Sequence, residues 1–436
     1  MKPNRLLAML ALSLPIWSSG CGDLLGSGGG GPGALEATVP AQGGNAVSVL
    51  SPVQLVFDKA VKLTSLSAAV SLWNGDRAVI VNPELAPDGR TIVLDPVDPL
   101  DFGTTYRVEV SELLRFKGGG TFANPTNWEF TTEGLSPPTP NRDSLFVNLE
   151  ALSHDSMRGR GSGSADELRA AEYLRDRYLS YGLQEPPGGV IQSFQAFSNR
   201  QNRTLDSRNV LAAVQGSGAL ADEWIVVGAH FDHIGFRGLD DESQGPNNGA
   251  DDNGSGTVLI LEMARILQDY VDSGGMAARD RRSVLFAGFG AEEDGLLGSC
   301  AYVYENPAIP LSQTKAMMNF DMVGRLRNST LYLSGGETSS VWAPLAANSN
   351  LVDLSAPLST SSCTGCTDHV CFWREGVPFL GFFTGLHDEY HAPEDDVETI
   401  NFPGMVEVGS VGIRALSRLM VMEEAPPLTG VYPLSQ

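Results

Sequence analysis

The sequence predicts an α/β protein whose mostly parallel sheet is covered by helices on both faces, preceded by a small all-β sandwich. Three observations lead there. Beyond residue 144, apolar runs rich in β-branched residues alternate with segments of helical spacing, the pattern of a sheet wound between helix layers. Between residues 35 and 133, short runs of alternating polarity follow one another with no useful helical period, which predicts a β-sandwich. Between the two lies "GLSPPTPNRD" (134–143), a Pro-rich stretch with little to bury, read as a linker. The 436 residues are long enough for both units.

Taken in order, residues 1–21 read as an export signal. Lys2 and Arg5 supply a positive start, and "LLAMLALSLPIW" (6–17) is an apolar run too short to span a bilayer. "SSGC" then places Cys21 after small residues, a motif that resembles the lipobox of bacterial lipoproteins, although Ser18 stands where Leu is usual. A plain secretory cleavage is the alternative. Residues 22–34, with "GDLLGSGGGGPG", form a flexible tether suited to hold a domain off a membrane. The expected location is extracytoplasmic, with a membrane tether through lipidated Cys21.

In the all-β unit (35–133), "PVQLVF" (52–57), "AVIVN" (78–82), "TIVLDP" (91–96), "TYRVEV" (105–110) and "NWEFTT" (127–132) are the predicted strands, and "PDGR" (87–90) is a hairpin turn. The whole pattern resembles the bacterial Ig-like domains of surface proteins. It holds no His or Cys and scatters its acids at turns, so a spacer or adhesion role is expected of it and no chemistry.

In the second unit (144–427), "ADELRAAEYLRDRYLSYG" (165–182) and "GSGTVLILEMARILQDYV" (254–271) have helical spacing, the first closing on Gly182. Predicted strands are "RNVLAAV" (208–214), "EWIVVGAH" (223–230), "SVLFAGF" (283–289), "AMMNFD" (316–321) and "VPFLGFF" (377–383). If Cys21 carries lipid, Cys300, Cys363, Cys366 and Cys371 remain. Export permits disulfides among them, in three pairings that sequence cannot separate. "CTGCTDHVC" (363–371) could also be a zinc knuckle, but it lacks the second Cys-x-x-C such a site needs.

A formal charge of -23 argues against a nucleic-acid partner. It suits an exported protein, or one whose carboxylates hold cations. The strand ends favour the second idea as well. "IVVGAHFDH" ends with His230 and Asp232, "GADDNGSG" (249–256) puts Asp251 and Asp252 before a helix, and "VLFAGFGAEE" ends with Glu292 and Glu293. "AMMNFDMVGR" carries Asp321, and "FLGFFTGLHDEYHAPEDD" (379–396) carries His387, Tyr390 and His391. Singly, each reads as a solvated strand end, an N-cap or a dipole partner. Together at one rim of one sheet, they would repel by several kcal/mol without cations. Imidazole plus carboxylate suits zinc, with Mn or Co as substitutes. Two ions roughly 3.5–4 Å apart would suit a hydrolysis. One of the adjacent glutamates would then bind metal, leaving its neighbour free as a base.

The ordered series "GAHFDH", "GADDNGSG", "FGAEEDGLLGS", "NFDMVGR" and "YHAPEDD" resembles the motifs of the co-catalytic di-zinc exopeptidases, over residues 144 to 423. The resemblance implies a three-layer αβα sandwich around a mixed sheet, and two Zn2+ ions as cofactor. Carried over, His230 and Asp321 would hold one zinc, Glu293 and His391 the other, and Asp252 would bridge them. Glu292 would be the general base and later the acid to the leaving amine. Asp232 would orient His230 from behind, and Tyr390 would stabilise the oxyanion. His233, His369 and His387 lie near the motifs and are not needed as ligands, while His154 reads as a packed or surface residue.

The function so implied is removal of N-terminal residues from peptides, an exported metallo-aminopeptidase. A carboxypeptidase or dipeptidase on the same metal core is the enzymatic alternative. Glutaminyl cyclisation occurs on a related fold, and a complete two-metal set disfavours it. A non-catalytic receptor is the alternative outside enzymes, against which Glu292 and the full ligand set both count. For the substrate amine, "GLDDES" (238–243) is a candidate attractor, although such an acidic run more often reads as a solvated loop.

Overall fold

Period-two alternation decides the first layer of structure. The computed structural model describes residues 32–430 apart from 48, 50, 98–99, 133–137, 238–240, 275, 277–279 and 360–366. The export signal, Cys21, most of the tether and Cys363 and Cys366 therefore lie outside the described residues, as do residues 134–137 of the 134–143 linker.

The N-terminal unit is a two-sheet sandwich. Its strands are β1 (Leu35–Val39), β2 (Gly44–Val47), β3 (Val53–Phe57), β4 (Val70–Asn74), β5 (Arg77–Val79), β6 (Val81–Leu85), β7 (Thr91–Pro96), β8 (Thr105–Val110) and β9 (Thr126–Thr132), with a single helical turn, α1 (Leu66–Ala69). One sheet runs β1-β3-β7-β6 and the other β2-β9-β8-β4-β5. Alternate residues point inward as the pleat requires: Val53, Leu55 and Phe57 of β3 face Tyr106, Val108 and Val110 of β8 across one core. The run 78–82 predicted one strand, and the structure splits it. β5 and β6 belong to different sheets, and the chain crosses between them at Ile80, which is exposed. At the predicted hairpin, Asp88 accepts from the backbone N–H of Arg90 and Thr91, both at 2.9 Å.

Asn141 caps α2 (Arg142–Leu152), its side chain accepting from Ser144 N at 2.9 Å. The linker thus ends two residues earlier than the Pro-rich composition suggests. Then come α3 (Ala165–Ser180), β10 (Ile191–Ser198), β11 (Arg203–Val214), β12 (Trp224–His230), the short hairpin β13 (Phe236–Arg237) and β14 (Asp241–Pro246), and α4 (Gly256–Asp272). The chain continues through β15 (Ser283–Phe289), α5 (Leu297–Tyr304), β16 (Thr314–Phe320), β17 (Tyr332–Ser334), α6 (Trp342–Ser349), α7 (His369–Arg374), β18 (Phe379–Phe383) and α8 (Phe402–Val421).

The seven-stranded sheet has the order β10-β11-β15-β12-β16-β18-β17. Its middle strands β15, β12, β16 and β18 are parallel; β11 and β17 run antiparallel to them, and the edge strand β10 pairs antiparallel with β11. Strands buried on both faces read as unbroken apolar runs, which is why β12, β15, β16 and β18 were visible in sequence. β10, with "IQSFQAFS" and mixed burial, was not. Ile225, Val227 and Ala229 of β12 join the cluster beneath α3, α4 and α8, whereas Val226 joins the cluster beneath α5 and α7. That is the expected sandwich of three layers. A disulfide joins Cys300 on α5 to Cys371 on α7 and settles one of the open pairings.

The sandwich packs on the far ends of two helices. Phe102 meets Tyr270, near the end of α4, edge to face at 6.2 Å, and Asp101 pairs with Arg418, near the end of α8. One apolar cluster continues from the sandwich into the α/β unit. Among the described residues, no helix is long and apolar enough to cross a membrane.

Candidate metal centre

The parallel strands bring the predicted residues to one rim, where sites gather in sheets of this kind. His230 is the last residue of β12, Asp321 follows β16 directly, and Glu292 and Glu293 follow β15 by three and four residues. Asp252 sits in the turn entering α4, and His391 in the loop after β18. Three non-glycine residues at these strand ends adopt left-handed backbone: Ala291 (φ 52°), Met322 (φ 53°) and His391 (φ 56°). Such conformations cost energy and persist where the surroundings enforce them, commonly at functional sites.

The side chains converge. His230 Nε2 lies 3.4 Å from Asp252 Oδ1, 3.6 Å from Asp321 Oδ1 and 3.9 Å from Glu292 Oε2. His391 Nε2 lies 3.0 Å from Asp252 Oδ2 and 3.3 Å from Glu293 Oε2. Asp252 therefore turns one oxygen to each histidine. Ligand atoms of His230, Glu292 and Asp321 lie within 4.8 Å of one another, as do those of His230, Asp252 and Glu293.

Behind this ring, Asp232 accepts from Ser162 Oγ at 2.7 Å and from the Glu292 backbone N–H at 3.0 Å. It thus ties the Glu292 loop to β12. The Nδ1 edge of His230 faces it, 3.3 Å from the Asp232 carbonyl and 3.7 Å from its carboxylate. The Tyr390 ring stacks on His391 with centroids 3.8 Å apart, at the exposed margin of the site.

Electrostatics separate the two glutamates. Burial pushes the Glu292 carboxyl well above the usual range, and Asp368, Asp321 and Glu293 add to the shift against the pull of His230. Burial acts on Glu293 too, but hydrogen bonds from His233 and His391 outweigh it, and its pKa ends below the ordinary value. Two neighbouring carboxyls are thus pushed in opposite directions by their surroundings. Burial disfavours the charge on His391, yet Asp252 and Glu293 raise its pKa to about 10.

Several further residues hold the site: His233 and His387, which the sequence reading named without giving them a role, and Asp395 and Arg160, which it did not single out. His233 is fully buried, with Nδ1 2.9 Å from Glu293 Oε1. Asp395 accepts from the backbone N–H of Asp251 and Asp252 at 3.0 Å each. His387 faces Asp251 at 3.3 Å and Glu389 at 3.1 Å. The buried Arg160 guanidinium donates to the carbonyls of Leu152, Phe231, Asn248 and Gly249, at 2.7 to 3.0 Å, stitching the loops beneath the ring. Asp395 stands inside the quoted "APEDD", but nothing local distinguishes a buried carboxylate from a solvated one. Arg160 has no sequence signal, since its partners are backbone carbonyls far along the chain. His369 is buried against Phe379, and His154 caps a turn at the surface. Of the proposed amine attractor, 238–240 lie outside the described residues, and Glu242 pairs with Arg158 at 2.5 Å.

The donor set fits divalent cations. Two imidazole nitrogens meet carboxylates of which Asp252 and Glu293 are almost wholly buried and Glu292 and Asp321 partly exposed, and such a gathering of acids is stabilised by positive charge within it.

Comparisons with known proteins give the family. Residues 209–415 match peptidase family M28, and residues 31–132 match the bacterial Ig-like domain. The chain is 28% identical over 242 residues to "Aminopeptidase YwaD" of Bacillus subtilis (strain 168), covering 53% of this chain and 48% of that one. It is 30% identical over 299 residues to "Leucine aminopeptidase 1" of Trichophyton rubrum, covering 63% of this chain and 76% of that one. It thus spans about half the length of the first relative and about three quarters of the second. Among solved structures, the zinc aminopeptidase BSAP from Bacillus subtilis superposes with a TM-score of 0.52 at 18% identity, covering 68% of this chain and 99% of that one. A glutaminyl cyclase from Porphyromonas gingivalis does so with a TM-score of 0.50 at 21% identity, covering 64% and 98%. At these identities the superpositions speak for the fold. With its five motifs gathered on one sheet rim and an Ig-like sandwich in front, the chain belongs to peptidase family M28.

Proposed function

We propose that this protein is an exported zinc-dependent aminopeptidase that works with two cations and a glutamate base. The single observation that carries the reading is the Asp252 carboxylate, shared between His230 and His391, with Glu292 beside it and outside that sharing. His230, Asp321 and Asp252 would hold one ion, and Asp252, Glu293 and His391 the other. Bound there, the ions supply Lewis acidity, polarising the scissile carbonyl and easing deprotonation of water. Glu292 takes the proton from the attacking water and returns it to the leaving amine, a task suited to a carboxyl whose pKa burial has raised. Asp232, by accepting the Glu292 backbone N–H, keeps that base in place. Tyr390, on the His391 ring, is positioned at the margin to donate to the developing oxyanion.

The charge around the site favours a substrate's free amine over its carboxylate. An open cleft of about 460 Å³ beside His387 and Glu389 is lined by Arg325 and Arg327. These are the cations a carboxypeptidase would use, and the Nη2 of each is already engaged within the chain. Arg327 donates to the carbonyls of Gly385 and Leu386, and Arg325 faces Glu389 and Asp395. Export is supported by the Cys300–Cys371 disulfide, a bond of oxidising compartments, and by the Ig-like unit. Paired peptides with free and acetylated N-termini test the reading. The free set alone should be cleaved, one residue at a time, and a chelator should stop it. Cleavage of blocked peptides from the carboxyl end would replace it with the carboxypeptidase.

A further inference from the structure

His233 lies three residues past His230, and no ligand role falls to it. Yet it is fully buried within the site, and its placement is specific. Its Nδ1 stands 2.9 Å from Glu293 Oε1, while the other oxygen of that carboxylate stands 3.3 Å from His391 Nε2. The ring meets His391 edge to face at 5.5 Å. Its backbone N–H donates to Arg160 O at 3.2 Å, anchoring it to the loops that the Arg160 guanidinium organises. Room for the ring comes from Gly249, where a Cβ would stand 2.6 Å from the imidazole carbons. The Nε2 edge has no hydrogen-bond partner among the described residues; Nδ1 meets Glu293 at hydrogen-bond distance and lies farther, 3.8 Å, from Asp252 Oδ2.

We propose that His233 is a positioning residue that sets the affinity of one of the two cation positions without ligating it. An ionised carboxylate only accepts, so the ring nitrogen donates. By holding Oε1, His233 leaves Oε2 aimed at the side of Asp252 that His391 shares. Groups behind a metal ligand commonly govern affinity in this way. The position held by His230 and Asp321 would not take Glu293 as a ligand, so the loss is expected at the other position. This inference rests on the two-cation reading above.

The test is zinc titration of the metal-stripped full chain against a competing chelator, comparing wild type with His233→Ala, His233→Asn and His391→Ala. Thermal unfolding of each serves as the check on folding. Wild type should take up two ions. His233→Ala should keep one at wild-type affinity and bind the second about 10- to 100-fold more weakly. Asn, whose amide nitrogen can replace Nδ1 as donor, should recover most of that loss. Two tight ions in His233→Ala would overturn the proposal, as would an Asn variant no better than Ala. Should the alanine protein fail to fold, the Asn variant decides by whether its second ion stays tight. Complete loss of one ion, matching His391→Ala, would make His233 a ligand and overturn the positioning role. Fewer than two ions on wild type would instead sink the two-cation reading, and this inference with it.

Discussion

The Nε2 of His391 stands 3.0 Å from Oδ2 of Asp252, and the same carboxylate turns its Oδ1 to His230. A group shared in this way belongs to both halves of the site. Asp252→Ala should therefore lower the occupancy of both cation positions, whereas His391→Ala should empty one. Elemental analysis after dialysis against a fixed zinc buffer distinguishes them, and equal losses in the two variants would refute the sharing.

Glu292 stands next to Glu293, and the proposed reading gives it a separable task. Glu292→Gln should retain metal near the wild-type level while turnover falls at least about 10²-fold, the usual scale of general-base removal. Loss of an ion in this variant would move Glu292 into the ligand set.

His369 ties stability to pH. Burial against Phe379 lowers its pKa to about 3, against an ordinary value of 6.5. The unfolded chain then binds a proton that the folded chain refuses. Stability consequently falls as pH drops from about 6.5 to about 3, by about 1.4 kcal/mol per pH unit from this one group. His369→Phe should shift the acid unfolding midpoint to lower pH, as followed by circular dichroism. An unchanged midpoint would show that other groups govern acid unfolding.

Arg160 is wholly inside, and its guanidinium serves four carbonyls. Arg160→Met keeps the apolar stem but leaves those acceptors unpaired. Expected is a loss of about 3–5 kcal/mol in urea unfolding, accompanied by weaker metal binding because the loops at Phe231 and Gly249 flank His230 and Asp252.

Gly249 should tolerate no side chain. Its φ is 54°, and a Cβ would stand 2.3 Å from the Asp252 carbonyl and 2.6 Å from His233. Gly249→Ala should lower the melting temperature by several degrees, as strained left-handed alanines do, and disturb both neighbours at once. A melting curve and a zinc titration on the same protein check both effects.

The sheet's interior was legible in sequence because strands buried on both faces, such as β12 and β15, are written as unbroken apolar runs. The ring residues were legible because they stand where those runs stop. What escaped is whatever depends on contacts distant in the chain. Asp395 reaches the backbone of Asp251 and Asp252 across more than a hundred residues, and only tertiary structure shows it buried. His233 was visible as a letter, but a pleat does not say whether a residue past the strand end turns back into the site. Edge strands β10 and β17, being short or half solvated, carry too little apolar pattern to stand out. At 78–82, local alternation continued while the chain changed sheets, so one apparent strand concealed two.

Tyr270 is fourteen residues along α4 from Gly256, where that helix leaves the ring, a separation of about 21 Å along its axis. With Phe102 and Asp101 lodged at that remote end, the β-sandwich grips the enzyme by its base like a handle. Among the described residues, these contacts of the sandwich fall on helix ends remote from His230 and Asp252, so a load borne by the sandwich would reach the α/β unit away from the ring.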